Sequence, residues 1–354
     1  MLTLESKKPT DPNDIKLTQY SHGSGCGCKI APSVLEEILH SDIRQTPSPL
    51  LLVGNETKDD AAIYDMGNGI ALISTVDFFM PIVDDAFQYG QIAAANALSD
   101  VYAMGGKPFM AVAILGWPVE KLPASLAQKV IAGAKDICTK AGVSLAGGHT
   151  IDSPEPFFGL SVNGQVAISN IKKNSTAQQG DMLFLTKPLG TGALATALKR
   201  GLVNAEDMTP SITSMSKLNS IGADLGLLNY VHALTDVTGF GLLGHLIEMC
   251  EGSNLSAEIC YDKVPLMQNV KELSAKFIYA DNTMRNWKSY ESKVEGISGE
   301  SLLTLCDPQT SGGLLIAISP DKEQELTALL NENKVLIAKI GMMITKDTKS
   351  VYLK

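Results

Sequence analysis

The chain has 354 residues, 45% of them apolar and 19% charged. It is too long for one average domain and too apolar for a disordered chain. Its 29 basic and 38 acidic residues leave a net charge of −9, which argues against coating nucleic acid or an anionic membrane. A small anion stays admissible, because local lysines or a bound cation can invert the field of one site.

Residues 1–16 are polar, mobile by expectation, and carry no apolar core of a signal peptide. SHGSGCGCK follows, a glycine-dense loop that suits neither helix nor strand. Residues 32–40 predict a short amphipathic helix, with Ser33 as its cap. LLLVGN and AAIYDMGNGIALISTVDFF predict two or three strands around a Gly67-Asn68-Gly69 turn. Small and apolar residues over 87–104 predict a buried helix ending at Gly105-Gly106. FMAVAILGW reads as a strand; the longest apolar run, around it, is far short of the ~20 residues that span a bilayer. A second helix is expected over 126–141, capped by Ser125, and then two strands, VSLAGGHT and GLSVNGQVAI. Composition shifts at Ile171, where IKKNSTAQQGD is polar and aperiodic. A domain boundary is therefore placed near residue 170, giving units 1–170 and 171–354. DMLFLTKPLGTG and ALATALKR then open a second series of alternating strands and helices. Six sparse cysteines (Cys26, Cys28, Cys138, Cys250, Cys260 and Cys306) do not suggest a disulfide framework. A reducing cytoplasm is the expected location.

Several aspartates stand at the ends of apolar segments: Asp59, Asp60, Asp77, Asp100 and Asp236. A carboxylate there is not easily buried unpaired. Converging on one pocket, they would form a hard-oxygen cage for Mg²⁺; taken singly, each reads equally well as a turn or cap residue. The loop Gly23-Ser24-Gly25-Cys26-Gly27-Cys28-Lys29 could cradle an anion through backbone N–H groups. It lacks Walker A spacing. Three readings stay open for it: Cys26 as a nucleophile or carrier of a soft atom, with Lys29 favouring the thiolate; His22, Cys26 and Cys28 as zinc ligands of a non-catalytic carrier; or incidental thiols. Gly147-Gly148-His149-Thr150, Gly190-Thr191-Gly192 and Ser311-Gly312-Gly313 are further glycine turns. Gly239-Phe240-Gly241-Leu242-Leu243-Gly244 matches the dinucleotide pattern G-x-G-x-x-G, with Asp262 downstream. Asp236 and Thr238 crowd its approach, so this match is weak.

LTQYSHGSGCGCKI, LLVGNETKDDAA, STVDFFMPIVDD, NALSDVYAMGGKP, AILGWP, AGGHTIDSPEP, KKNSTAQQGD, LTKPLGTG, TDVTGFGLLGH and CDPQTSGG together resemble the selenophosphate synthetases, or selenide, water dikinases. The GCGCK loop is the specific part. The aspartate and glycine segments are shared with a wider superfamily of ATP-using enzymes typified by aminoimidazole ribonucleotide synthetase. The resemblance implies an α/β fold of two domains, each a mixed sheet packed with helices. The first would carry ATP, metal and dimerisation, with a mobile glycine-rich loop over about 17–50. It implies a homodimer, ATP as co-substrate, Mg²⁺ and K⁺, and conversion of ATP, selenide and water to selenophosphate, AMP and orthophosphate. A selenium-delivery protein would be a further partner; nucleic acid and membrane would not. By motif position, Cys26 and Lys29 are the catalytic pair. Asp60, Asp100 and Asp236 are metal ligands. Thr57, Lys58, Asp59, Asp77 and Asp100, with Lys29, contact the nucleotide. Gly148, His149 and Thr150 match a nucleotide loop offered by the partner subunit. The segment 280–287 departs from the pattern, lacking a glycine pair before Asn286. A purine- or thiamine-pathway ATP enzyme of the same superfamily is the alternative.

Overall fold

The computed structural model describes residues 15–30, 32–40, 48–54, 58–204 and 206–354. Thr57 and residues 1–14 lie outside them, and so do the side chains of Cys28 and Ser33. A short helix, α1 (Pro32–Leu39), follows the glycine loop. Six strands then form one sheet: β1 (Leu51–Val53), β2 (Ala62–Asp65), β3 (Ile70–Phe79), β4 (Lys107–Trp117), β5 (Ser144–Asp152) and β6 (Phe157–Ala167), in the order β1-β2-β3-β6-β4-β5. Only β4 and β5 pair in parallel. A parallel pair needs a crossover, and α3 (Ala124–Lys140) supplies it.

Strand alternation divides this sheet into two faces. Ile63, Ala71, Ile73, Phe158, Leu160 and Val162 are buried beneath α2 (Ala86–Ala103) and α3. Tyr64, Val76 and Phe78 point the other way and are exposed. The helices meet through glycines: a Cβ on Gly90 would lie 1.9 Å from the Val130 carbonyl oxygen, and one on Gly133 the same distance from that of Phe87. Asp85 caps α2 by accepting from the Gln88 N–H. The expected Ser125 cap fails, because α3 starts at Ala124 with Pro123 before it and no side chain capping it.

The second sheet holds β7 (Met182–Leu185), β8 (Val231–Asp236), β9 (Leu255–Ile259), β10 (Val294–Glu295), β11 (Leu314–Ile318), β12 (Ala338–Thr345) and β13 (Val351–Leu353), ordered β10-β13-β9-β12-β7-β11-β8. It is also mixed, with β13 parallel to β9 and β10. Its helices are α4 (Thr191–Lys199), α5 (Thr209–Ser216), α6 (Ile221–Gly226), α7 (Gly241–Gly252), α8 (Val270–Ala275), α9 (Asp281–Tyr290), α10 (Gly299–Leu305) and α11 (Glu323–Glu332). Both faces are covered: Leu183, Leu185 and Leu315 enter one core and Phe184, Leu314 and Ile316 another. The continuous apolar runs of β7 and β11 follow from that two-sided burial.

The polar stretch after Ile171 is tied down between the sheets. Lys172 Nζ donates to the Leu228 and Val231 carbonyls at 2.8 Å each. Asn174 is buried, donating from Nδ2 to the Lys58 carbonyl and from its backbone N–H to Asp59 Oδ1, both at 2.8 Å. No helix among the described residues is long and apolar enough to cross a membrane.

Candidate active site

A cavity of about 280 Å³ opens where the two sheets meet. Lys29, Lys58, Asp59, Asp60, Asp77, Asp100 and Asp236 all line it, together with Glu248, His245 and Phe240. The fold explains the convergence. Thr75 and Asp77 share the inward face of β3, and Asn96 and Asp100 lie one turn apart on the α2 surface above them. Thr75 Oγ1 donates to Asp100 Oδ2 at 2.6 Å, and Asn96 Nδ2 donates to Asp77 Oδ2. Asp236 ends β8, and Asp60 comes from the loop before β2, where Thr235 Oγ1 donates to it at 2.8 Å.

One oxygen from each of Asp60, Asp100 and Asp236 lies within 4.8 Å of the others. Each carboxylate is steadied by a hydroxyl: Thr235, Thr75 and Ser99 respectively. Asp60 Oδ2 and Asp236 Oδ2 are buried and without a hydrogen-bond partner. Burial, then mutual repulsion, raises the pKa of Asp60 and Asp100 well above the carboxylate range. Burial likewise lifts Asp236 to about 6. Three crowded carboxylates with outward-facing oxygens are the donor set of a hard divalent cation, so these residues fit Mg²⁺.

The glycine loop forms one wall. Cys26 is fully buried, its backbone N–H donating to Thr310 Oγ1 at 2.9 Å and its thiol facing Asn96 Oδ1 at 3.6 Å. Lys29 Nζ lies 3.6 Å from Asp77 Oδ1. Burial alone would lower the Lys29 pKa; Asp77, Cys26, Asp100 and Asp236 outweigh it and hold the ammonium firmly charged.

Known proteins resemble both halves of this arrangement. Residues 58–166 match the family model "AIR synthase related protein, N-terminal domain", and residues 178–354 match its C-terminal domain. The selenide, water dikinase of Shewanella sp. (strain W3-18-1) is 52% identical over 341 residues, which cover 96% of this chain and 97% of that one. That of Pasteurella multocida (strain Pm70) is 51% identical over 97% of this chain and 98% of its own. The chain belongs to the selenide, water dikinase family. Among solved structures, a thiamine-monophosphate kinase from Stenotrophomonas maltophilia K279a matches with a TM-score of 0.63 at 21% identity, covering 86% of this chain and 92% of that one. The hydrogenase maturation protein HypE in complex with ATP gives 0.62 at 20% identity, covering 84% of this chain and 82% of its own. At such identities these two show a shared fold.

Within the dikinase fold, some expected residues stand apart from the cavity. Gly148, His149 and Thr150 form part of the edge strand β5 rather than a loop, and all three are exposed. They do not line the cavity of their own chain. The zinc reading loses its geometry: His22 Nδ1 pairs with Glu155 at 2.8 Å on the surface, while Cys26 is buried against Asn96. The glycines of the G-x-G-x-x-G match pack against the chain itself. A Cβ at Gly239 would strike the Cys26 carbonyl oxygen and Lys29, one at Gly241 the Leu305 carbonyl oxygen, and one at Gly244 Tyr290. These glycines serve packing. Asn286, in the departing segment, donates from Nδ2 to the Gly239 and Cys306 carbonyls at 3.0 Å each, so it braces the same turn.

Asn96 was not foreseen. It joins Asp77, the Cys26 thiol and the Ser311 N–H, which donates to its Oδ1 at 2.7 Å. Its position i − 4 from Asp100 on the buried face of a helix is the one signal the sequence held.

Proposed function

We propose that the chain makes selenophosphate, AMP and orthophosphate from ATP, selenide and water, with the cavity as the site of reaction. The observation that carries this reading is the meeting of the Asp60–Asp100–Asp236 cluster with the Cys26–Lys29 loop at one cavity. Mg²⁺ held by the three aspartates would offset the charge of the triphosphate and polarise the phosphoryl group under attack. Lys29 supplies fixed positive charge for an anionic selenium species beside Cys26. Asn96 positions that thiol relative to Asp77, and the loop walls the site from water. Lys58 and Asp59, braced by Asn174, line the same cavity as nucleotide contacts. The alternative ATP enzymes of the superfamily leave the Cys26 loop without a task.

The assembly we infer is a homodimer through the open face of the first sheet. Exposed Tyr64 and Phe78 support it, and the edge strand carrying His149 would then be offered to the partner's nucleotide. The first unit, 1–170, would carry ATP, metal and the dimer face; 171–354 would close the cavity. Free thiols and an easily oxidised substrate suit a reducing cytoplasm. K⁺ and a selenium-delivery protein enter through the family resemblance alone.

The test is purified protein with ATP, Mg²⁺ and selenide under anaerobic conditions. AMP release together with a ³¹P signal of selenophosphate is expected. ATP turnover that yields ADP as the final nucleotide, with no selenophosphate, contradicts the assignment.

A further inference from the structure

The reaction just assigned consumes a water as well as selenide, and this inference rests on that reading. Cys26 and Lys29 account for the selenium side. The aspartates have other engagements: Asp60 and Asp236 belong to the cation cluster, Asp100 belongs to it and accepts from Thr75, and Asp77 is held by Lys29 and Asn96. Another carboxylate faces the same cavity, Glu248 on α7, outside that cluster.

Its setting is built. The Thr238 N–H, two residues after Asp236, donates to His245 Nε2 at 3.1 Å. That bond makes Nε2 the acceptor and leaves the ring proton on Nδ1. Nδ1 lies 3.4 Å from Glu248 Oε2, one helical turn on. Phe240 stacks on the imidazole with centroids 5.7 Å apart and planes at 29°, fixing the ring. Thr238, Phe240, His245 and Glu248 all line the cavity wall.

We propose that Glu248 is the general base that takes the proton from the attacking water, and that His245 is the residue that positions it. In this step the water oxygen bonds to the phosphorus under attack. The phosphorus–oxygen bond to the departing phosphate breaks, and its electron pair stays on that departing oxygen. The proton passes to the Glu248 carboxylate and from there to solvent.

The electrostatics agree with the role. Burial, with the Lys29 charge adding to it, pushes His245 down to about 3, so the ring is neutral throughout the working range. Burial lifts Glu248 to about 7; Lys58, Lys29 and Lys293 pull against that and Glu251 adds to it. Tyr290 also faces this carboxylate. A base is most effective when its pKa lies near the operating pH.

The experiment uses the full chain with Mg²⁺, ATP and selenide, comparing Glu248→Gln, Glu248→Asp, His245→Asn and His245→Phe. A parent that forms no AMP refutes the dikinase reading itself; all further comparisons use a parent that does. Glu248→Gln is expected to lower kcat for AMP formation by ~100-fold or more, a typical general-base contribution. Its Mg-ATP dissociation constant should stay within about twofold of the parent's, and, with Mg²⁺ saturating at each pH so that the cluster aspartates stay ionised, the acidic limb of its pH–rate profile should vanish. Glu248→Asp should keep the limb at a lower rate. His245→Asn, which still offers an N–H, should retain the parent limb. His245→Phe should move it to higher pH, because an apolar ring in place of the polar one deepens the desolvation of the adjacent carboxylate and raises its pKa. The proposal is overturned by a Glu248→Gln rate within about threefold of the parent, by a rate loss matched by lost nucleotide affinity, or by a rate loss that leaves the acidic limb in place.

Discussion

Cys26 and Asp77 lie on different elements, yet both touch Asn96, so the proposed selenium and phosphate sides of the cavity would share one amide. Replacing Cys26 by Ser leaves that framework and removes the soft atom. The expected result is loss of selenophosphate formation with Mg-ATP affinity retained; a Cys26→Ser variant as active as the parent would remove the thiol from the mechanism. The carboxylates carry a pH prediction. Burial and crowding raise Asp60 and Asp100 well above 3.8, and Asp236 to about 6. A raised carboxyl pKa means the folded chain binds more protons than the unfolded one, so metal-free stability from these groups falls as pH climbs from near 4 through 6 and beyond. Mg²⁺ would bind the ionised form and offset the loss, so its addition should raise Tm more at pH 7.5 than at pH 5. Asp60→Asn should shrink both the pH slope and the gain from Mg²⁺; thermal unfolding at the two pH values, with and without the ion, measures this. The aspartates were legible because a charge at the end of an apolar run needs a reason. Asn96 was not, since an uncharged residue in IAAANALSD looks like any polar residue of a helix. Glu248 was hidden behind a glycine motif that drew attention to its backbone.

The stretch carrying Cys26 behaves as an element in its own right, a strap tied to both halves of the molecule. Thr18 donates from its N–H to Asp84 Oδ1 at 3.1 Å, and the His22 N–H reaches Glu155 Oε2 at the same distance. From the other half, Lys199 Nζ at the end of α4 donates to the carbonyls of Ser21, His22 and Gly23 at 2.6, 3.1 and 3.2 Å. Thr310 then receives the Cys26 N–H, and the DPQTSGG segment that presents it is itself built on α4. Gln309 Oε1 accepts from the Gly190 N–H at 2.9 Å, and Asp307 Oδ2 from the Gly192 N–H at 3.0 Å. The Gly190-Thr191-Gly192 turn therefore spends its amides on the chain's own side chains rather than on a phosphate. Lys199→Met removes all three ties to the strap while keeping a straight side chain of similar length. We expect Cys26 alkylation, followed by peptide mass spectrometry, to speed up by about tenfold, as local opening becomes easier. The KM for selenide should rise while Mg-ATP affinity holds. An unchanged alkylation rate would show that the ties carry no weight. In the first half the helices and strands themselves were readable from periodicity. The strap was not, because Lys199 holds it through backbone carbonyls, and a lysine in the last turn of α4 reads as an ordinary partner of the helix dipole.

At the scale of the whole molecule, the two sheets differ in how they are covered, and that difference bears on where the nucleotide's remaining contacts come from. The second sheet is buried on both faces at β7 and β11, whose runs are continuously apolar; of its strands, only β7 was individually readable from the sequence. Among the described residues, helices α2 and α3 cover one face of the first; ISTVDFF mixes inward Thr75 and Asp77 with outward Val76 and Phe78, and without the register those roles could not be separated. Exposed Tyr64 and Phe78 of the other face, and the edge bearing His149, lie outside the cavity of their own chain. In the proposed dimer, His149 of one subunit serves the cavity of the other, and each site is composite. Subunit mixing tests this directly. Asp236→Asn and His149→Ala chains are each expected to be inactive, or nearly so, as homodimers. In a mixed dimer, one site carries both defects and the other carries neither. Random exchange of equal amounts should then recover about a quarter of the parent activity, since half the dimers are mixed and each has one intact site. If His149 served its own subunit, every site in the mixture would keep one defect. Activity would stay at the level of the separate homodimers.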